Sequence, residues 1–260
     1  MNLSSFREVE ILCLREKQRV KLKDGVIREI LLALFVNRKK IATLLCTPPG
    51  LEYLALGFLL SQGVIEPEDK NKIEEIYLNL QKGFIQVKID IPQQKLQRIT
   101  SQRYIISSCG ECSFYTPEFK KLNSSFQIKE DSLFASMEEF EKKSTLFKIT
   151  GGNHSCGLYN KGGELEIFAE DLGRHNALDK VFGECLLRGI KTRDRFLLLS
   201  GRISWEILSK AARRSVPLLA SPSAPTDLAI SLADRLNITL VGFLRQQRMN
   251  IYTHPWRIIN

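Results

Sequence analysis

The sequence predicts an α/β (α+β) protein: a C-terminal mixed sheet with flanking helices, and a smaller strand-rich N-terminal domain. Two observations predict it. From about residue 146 onward, short apolar strand-like runs alternate with helical segments, which implies a sheet with helices packed on it. Before residue 100 the apolar runs are rich in Ile, Leu and Val and leave room for one helix. Between them lies a mostly polar connector, so the predicted division is 1–100, 101–145 and 146–260. The chain has 260 residues, 43% hydrophobic and 26% charged, which is ordinary globular composition with room for one large or two modest domains.

The elements follow in order. "IREILLALFVN" and "KKIATLLCT" read as strands. Thr47-Pro48-Pro49-Gly50 breaks the chain and opens the helix "LEYLALGFLLSQG", which Gly63 can end. "IEEIYLNL" and "GFIQVKIDI" alternate apolar and polar residues around Gly83 and read as a hairpin. A short helix is expected near "LFASMEEFEKK". "FKIT" is strand-like and precedes "GGNHSCGLY", read as a Gly-rich turn; "LEIFAE" is the next strand. In "DLGRHNALDKVFGECLLRG", Leu178, Val181, Phe182, Cys185 and Leu186 fall on one helical face. Then "RFLLLS" precedes the helix "ISWEILSKAARR", "VPLLAS" precedes "APTDLAISLADRL", and "ITLVGFL" and "MNIYT" finish the chain.

Bulk properties exclude some functions. No apolar run reaches membrane-spanning length, and the first twenty residues carry charges of both signs without an apolar core, so neither a membrane span nor a signal peptide is expected. The expected compartment is the cytoplasm, where cysteines stay reduced. The formal net charge of +9 attracts anions. The basic residues are scattered, however, with no aromatic-and-basic stripe or zinc-finger spacing to mark a nucleic-acid reader.

Of six cysteines, only Cys109 and Cys112 are closely spaced, so there is no disulfide framework. Cys185 lies on the apolar helix face, and Cys13 and Cys46 sit in strand-like runs; core packing is expected for all three. Cys156 in "GGNHSCG" is ambiguous. Cys109 and Cys112 sit in a Ser- and Gly-rich loop, where a thiolate can meet a partner. Their spacing admits half a zinc site, a redox dithiol, or sulfur chemistry on a thiolate. His154 and His175 have the right type for zinc, but tight sites pair ligands at short spacing on both sides. A thioredoxin-like dithiol opens a helix, which Pro117 and the polar sequence after Cys112 do not clearly supply.

Small, hydroxylic and basic residues recur where strands end and helices begin: Asp171-Leu172-Gly173-Arg174-His175, Ser200-Gly201-Arg202 and Ser221 to Thr226. In open α/β sheets ligands bind at the carboxyl ends of strands, and helix N-termini point free N–H groups at anions. Arg174 and Arg202 are placed for phosphate. Helix capping explains any single junction as well. Three such junctions in one small domain favour a shared pocket.

"SSCGEC", "TGGNH", "EDLGRHNALDK", "SGRISWEI", "ASPSAPTDLA" and "LVGFLRQQRMNIYTHP" occur in this order, after "LEYLALGFLLSQGVI". Together they resemble the FdhD-type accessory sulfurtransferases of formate dehydrogenase maturation over about residues 27–260. The resemblance implies a sulfurtransferase that takes persulfide sulfur from a cysteine desulfurase onto Cys109, with Cys112 in support. The sulfur then goes to the molybdenum (or tungsten) bis-pterin guanine dinucleotide cofactor of the formate dehydrogenase catalytic subunit. The matching cofactor segment is Phe243, Leu244, Arg245, Gln246, Gln247 and Arg248, with GDP as the expected mimic. Its pyrophosphates suit Arg174, Arg202, Arg245 and Arg248. His154, Asp171, His175 and Ser200 are expected at the same cavity, with Asp171 orienting a basic residue.

The resemblance further implies a cytidine-deaminase-like C-terminal fold and a homodimer. Deaminases hold zinc with His-x-Glu and Pro-Cys-x-x-Cys at two helix starts. Here the matching positions read His175-Asn176-Ala177 and Ser200 to Ser204, so no zinc is expected. The rival readings are a non-catalytic cofactor chaperone and a zinc enzyme of the deaminase type. Three departures stand out: Ser113 replaces the last glycine of Cys-Gly-x-Cys-Gly, Gln247 stands where glycine is common, and Cys156 is an extra thiol near the expected pocket.

Overall fold

The computed structural model describes residues 4–92 and 119–260, together with the backbone of 104–105 and 111–112. It is a mixed α/β structure, as the sequence predicts. The chain starts with a ribbon of β1 (Phe6–Arg15) and β2 (Gln18–Ile27), which the sequence reading did not anticipate. Its two-residue turn, Glu16-Lys17, has φ of 52° and 67° at residues other than glycine, so the usual hairpin signal is missing. The ribbon's base rests on helix α3 (Thr145–Thr150), where Ile149 closes on Gly25.

β3 (Ile30–Val36) and β4 (Lys39–Cys46) pair antiparallel, as do β5 (Ile73–Asn79) and β6 (Phe84–Ile89). A parallel β3–β6 pairing joins them into a four-stranded sheet of order β4-β3-β6-β5. α1 (Leu51–Ser61) starts after Gly50, whose φ of 77° suits only glycine comfortably. α1 then crosses α4 (Arg174–Arg188) in backbone contact. A Cβ at Gly57 would stand 1.7 Å from the carbonyl oxygen of Asp179, and one at Gly183 would stand 1.9 Å from that of Tyr53. Leu54 and Phe58 therefore share one continuous core with Leu178, Val181 and Phe182.

The connector contains a two-residue ladder of β7 (Tyr104–Ile105) and β8 (Glu111–Cys112). β9 (Ile128–Lys129) pairs parallel with the C-terminal β16 (Ile258–Ile259) and leads into α2 (Glu130–Lys143), the helix expected near "LFASMEEFEKK". Two expectations then need correction. "FKIT" belongs to the helix α3, ended by Gly151 at φ 62°, and the supposed Gly-rich turn is the strand β10 (His154–Asn160). β10 is enclosed on both faces, so it lacks the alternation that marks a strand. Gly157 leaves room there for the rings of Tyr159 and Phe140.

The larger sheet has the order β11-β10-β12-β13-β14-β15, with β11 (Leu165–Asp171), β12 (Arg195–Leu199), β13 (Leu218–Ala220), β14 (Thr239–Arg245) and β15 (Arg248–Thr253). β12, β13 and β14 run parallel, and the other pairings are antiparallel. Alternate residues feed two cores. Leu197, Leu219 and Leu240 face α1, α4, α5 (Trp205–Arg213) and α6 (Asp227–Leu236). Phe196, Leu198 and Val241 face Leu133, Met137 and Phe140 of α2. No helix among the described residues is long and apolar enough to cross a membrane.

Candidate functional site

Topology brings the site residues to one sheet edge. The parallel strands β12, β13 and β14 end together, which places Ser200, Ser221 and residues 243–245 side by side. β10 runs antiparallel to β12, so it contributes its first residue, His154, and β11 contributes its last, Asp171, paired with His154. Helix capping in the two following loops falls to other residues. Ser204 Oγ accepts from Ile207 N–H, and Thr226 Oγ1 accepts from Ala229 N–H.

Ser200 and Ser221 instead tie the loops to one another. Ser200 Oγ accepts from Ser155 N–H at 2.9 Å and lies 3.3 Å from His154 Nδ1. Gly201 packs under the His154 ring: a Cβ there would come within 3.1 Å of the imidazole and 3.6 Å of Arg174 Cδ. Ser221 Oγ donates to the Gly201 carbonyl at 2.8 Å, and the Ser221 carbonyl accepts from Leu244 N–H at 3.0 Å. Phe243 N–H donates to Ser223 O, and Arg245 Nε donates to Pro222 O at 3.0 Å. A hydrogen-bonded path thus runs from His154 to Arg245.

Leu244 is fully buried, while Phe243, Arg245, Gln246, Gln247 and Arg248 are exposed. Arg245 and Arg248 face each other across the Gln246-Gln247 turn, and Arg202 is exposed beside Gly201. Phe243 and Gln246 hold φ of 53° and 50°, left-handed values that cost energy in any residue but glycine. The strained turn position is Gln246. Gln247 has an ordinary negative φ, so the absence of glycine there is no obstacle.

Asp171 is completely enclosed. It accepts from Thr47 N–H at 3.0 Å, Gly173 N–H at 3.0 Å and Asn176 Nδ2 at 2.9 Å, and it pairs with Lys180 Nζ at 2.8 Å. Its carboxylate therefore holds the edge together and orients Lys180; it has no oxygen left for a ligand. Lys180 also donates to the Thr47 carbonyl at 2.6 Å and to that of Glu170 at 3.0 Å, binding the loop before α1 to the larger sheet. His175 Nε2 stands 3.2 Å from Glu206 Oε2 at the start of α5, and both side chains are largely enclosed. The sequence reading did not single out Lys180, Glu206 or Thr47. Lys180 and Glu206 stand within "EDLGRHNALDK" and "SGRISWEI", but their partners emerge only on folding: His175 and Glu206 lie on different helices, and Thr47 and Asp171 are 124 residues apart.

Electrostatics separates the imidazoles from the guanidiniums. Burial, and then the charges of Arg174 and His175, hold His154 below the ordinary histidine range. Burial also lowers His175, against the opposing pull of the Glu206 carboxylate 3.2 Å away. Both rings are neutral at neutral pH, and the positive charge at the edge rests on arginine. Such an arrangement has the chemistry to attract anions and to offer neutral hydrogen-bonding groups beside them.

The cysteines divide sharply. Burial pushes the Cys46 and Cys185 thiols up to about 12 and raises Cys156 well above the usual range. Cys156 and Cys46 are fully enclosed core residues, Cys185 is buried beneath the α4 surface, and burial keeps all three as thiols. Cys13 departs from expectation: it lies on the ribbon, only partly covered, because two strands alone enclose nothing. Cys109 and Ser113 lie outside the described residues. The backbone of Cys112 pairs with that of Tyr104.

The model of the FdhD/NarQ family matches residues 27–259. The sulfur carrier protein FdhD of Bacillus subtilis (strain 168) is 39% identical over 243 residues, covering 92% of each chain. That of Halalkalibacterium halodurans is 39% identical over 256 residues, covering 96% of this chain and 94% of the relative. Among solved structures, a protein from Desulfotalea psychrophila described as a formate dehydrogenase accessory protein superposes with a TM-score of 0.81 at 29% identity. The match covers 98% of this chain and 100% of that one.

Proposed function

The chain belongs to the FdhD/NarQ family, and from that premise we propose that it is a sulfurtransferase serving formate dehydrogenase. It takes persulfide sulfur from a cysteine desulfurase and passes it to the molybdenum (or tungsten) bis-pterin guanine dinucleotide cofactor, which is its substrate. It works as a homodimer in the cytoplasm. Relatives that align along nearly the whole chain are named sulfur carriers, and the solved neighbour is described as a formate dehydrogenase accessory protein.

The observation that carries the reading is the convergence of basic and hydrogen-bonding residues at the strand ends, linked by hydrogen bonds from His154 to Arg245. Arg245, Arg248 and Arg202 are exposed there and bind the nucleotide's phosphates. Arg174 assists from the first turn of α4, where free backbone N–H groups add to the attraction. His154 and His175 offer neutral imidazoles to the pterin end.

The chemistry on the protein side is thiol–persulfide exchange. The Cys109 thiolate attacks the outer sulfur of the donor persulfide. A new S–S bond forms, the donor's S–S bond breaks, and the donor cysteine leaves as a thiolate. No oxidant is consumed. Cys112 supports the loop thiol that carries the sulfur.

The reading is tested by incubating the protein with a cysteine desulfurase and cysteine, then measuring the intact mass of the Cys109 peptide. A gain of one sulfur atom at Cys109, lost in Cys109→Ser, is the expected result. An unmodified Cys109 in a protein that still activates formate dehydrogenase would favour the cofactor chaperone instead.

A further inference from the structure

At the sheet edge opposite the strand-end site, we infer a docking groove for an acidic polypeptide segment of a partner protein, anchored by an apolar side chain. This goes beyond the sulfur-carrier reading and does not rest on it.

The groove has two joined hollows. The first, of about 500 Å³, lies between the end of α1, the turn at Pro67–Lys72 and the C-terminal ends of α4 and α5. Leu60, Phe182, Leu186 and Ile190 give it an apolar floor, and Lys70, Lys191, Arg193 and Arg213 stand at its walls. The second, of about 330 Å³, shares Arg193 and Ser215 with the first and adds Lys120 and Lys121 beside Leu122 and Leu236. Among the described residues, Glu66 and Glu68 are the only carboxylates of either hollow, and Glu66 is paired with Arg214 at 2.9 Å.

Arg214 supplies an independent sign of a missing acceptor. Its side chain is nine-tenths buried, and Nη2 bonds Glu66 and the Arg213 carbonyl, but Nε and Nη1 have no partner among the described residues. Buried guanidinium nitrogens are rarely left this way. A carboxylate seated in the hollow brings an acceptor to this wall.

Helix ends do not account for the cations. Arg213 lies in the last turn of α5 and complements its dipole. Lys70 lies in the last turn of the short 3-10 helix Pro67–Lys72, beside the C-terminal end of α4, but Lys191, Arg193, Lys120 and Lys121 lie in connecting chain, where no such effect holds them. Their position on both hollows favours a polypeptide over a small anion, which would fill one hollow and leave the other's cations facing water. Single-stranded nucleic acid needs exposed aromatic rings to stack on. Among the described residues, Phe182 is the only aromatic one lining either hollow, and it is 1% exposed. A partner held here leaves the strand-end site open at the other edge.

The test uses the full chain and fluorescence anisotropy at low salt. The probe is a labelled dodecapeptide of glutamates with one central leucine; an all-glutamate dodecapeptide and a lysine-rich one with the same leucine are the controls. Lys191→Glu/Arg193→Glu reverses two exposed groove charges. Lys17→Glu/Lys21→Glu makes the same change in net charge on the exposed ribbon. Unchanged melting temperatures establish that both variants fold. The expected result is binding of the leucine-bearing acidic peptide, weakened about tenfold or more by the groove variant and by raised salt, and unaffected by the ribbon variant. Equal losses in both variants would reduce the binding to net charge and overturn the groove. Equal affinity for the all-glutamate peptide would overturn the apolar anchor. One-for-one displacement by inorganic phosphate or pyrophosphate would make it a small-anion site.

Discussion

Lys180 Nζ lies 2.8 Å from Asp171 Oδ2, with both side chains enclosed, and the preceding residue, Asp179, makes the opposite pairing with Lys210 Nζ at 2.6 Å. Adjacent positions on α4 thus fix it in two directions: Lys180 to β11 and the Thr47 loop, Asp179 to α5 and to Ser61 of α1. Removing one partner strands a buried charge, which typically costs about 3–5 kcal/mol. Lys180→Met is therefore expected to lower stability by that order. The midpoint of urea unfolding, measured with an unchanged slope, checks it.

The α1–α4 crossing gives a second prediction. A methyl group at Gly57 meets backbone, the Asp179 carbonyl, and backbone cannot rotate away as a side chain can. Gly57→Ala must separate the helices along their shared core, at a cost of about 3 kcal/mol or more. Gly162→Ala, on the exposed β10–β11 turn, is the control: its Cβ meets only the Asn160 side chain, at 3.2 Å. Comparable melting temperatures for the two variants would contradict the close crossing.

Stability should also depend on the two site histidines. His154 and His175 are held below their ordinary value of 6.5, so the unfolded chain binds more protons than the folded one just below that pH. Stability therefore rises with pH through this window and is lost as pH falls from 6.5 towards the folded values. Glu170, raised above 4.5 by burial, works oppositely in its own window: its contribution shrinks as pH climbs from 4.5. Replacing both histidines with glutamine should flatten the fall below pH 6.5 in chemical unfolding. An unchanged slope would mean that other groups titrate there.

These relationships also show how far the sequence could be read. Helix α4 was legible because its apolar residues repeat with helical spacing, and α5 and α6 because each follows a strand-like run that ends at a hydroxylic residue. β10 was not, since burial on both faces removes alternation. The β1–β2 ribbon was not, since Glu16-Lys17 makes a left-handed turn without glycine or asparagine. The strand-end residues could be named from their junctions. The groups that position them could not: Thr47 and Asp171 meet only through tertiary folding, 124 residues apart.

At the proposed nucleotide end, Arg245 and Arg248 are exposed across one turn and make few contacts within the chain. Substitution by alanine should leave stability nearly unchanged. Each change is expected to weaken GDP binding by about 1.5–3 kcal/mol, the worth of a charge-assisted hydrogen bond. Isothermal titration calorimetry reads this directly. Absence of any GDP binding by the unmodified protein would count against the strand-end site.

The proposed sulfur-carrying pair, Cys109 and Cys112, gives the last prediction, because chemistry distinguishes the two thiols. The acceptor must attack the donor persulfide and then hold a sulfur that no other residue holds; without it, transfer stops. Cys46, Cys156 and Cys185 cannot substitute, being enclosed and kept as thiols by burial. Cys13 is only partly covered, but it lies on the N-terminal ribbon outside the family match at 27–259. Cys109→Ser is therefore expected to abolish activation of formate dehydrogenase with unchanged melting temperature. Cys112→Ser should reduce it only partly, since a supporting thiol can be bypassed through direct release of the sulfur from Cys109. Formate dehydrogenase activity in cells carrying each variant, read beside persulfide mass on the purified protein, separates the roles. Full activity in Cys109→Ser with a persulfide on Cys112 would exchange the assignments of the two cysteines.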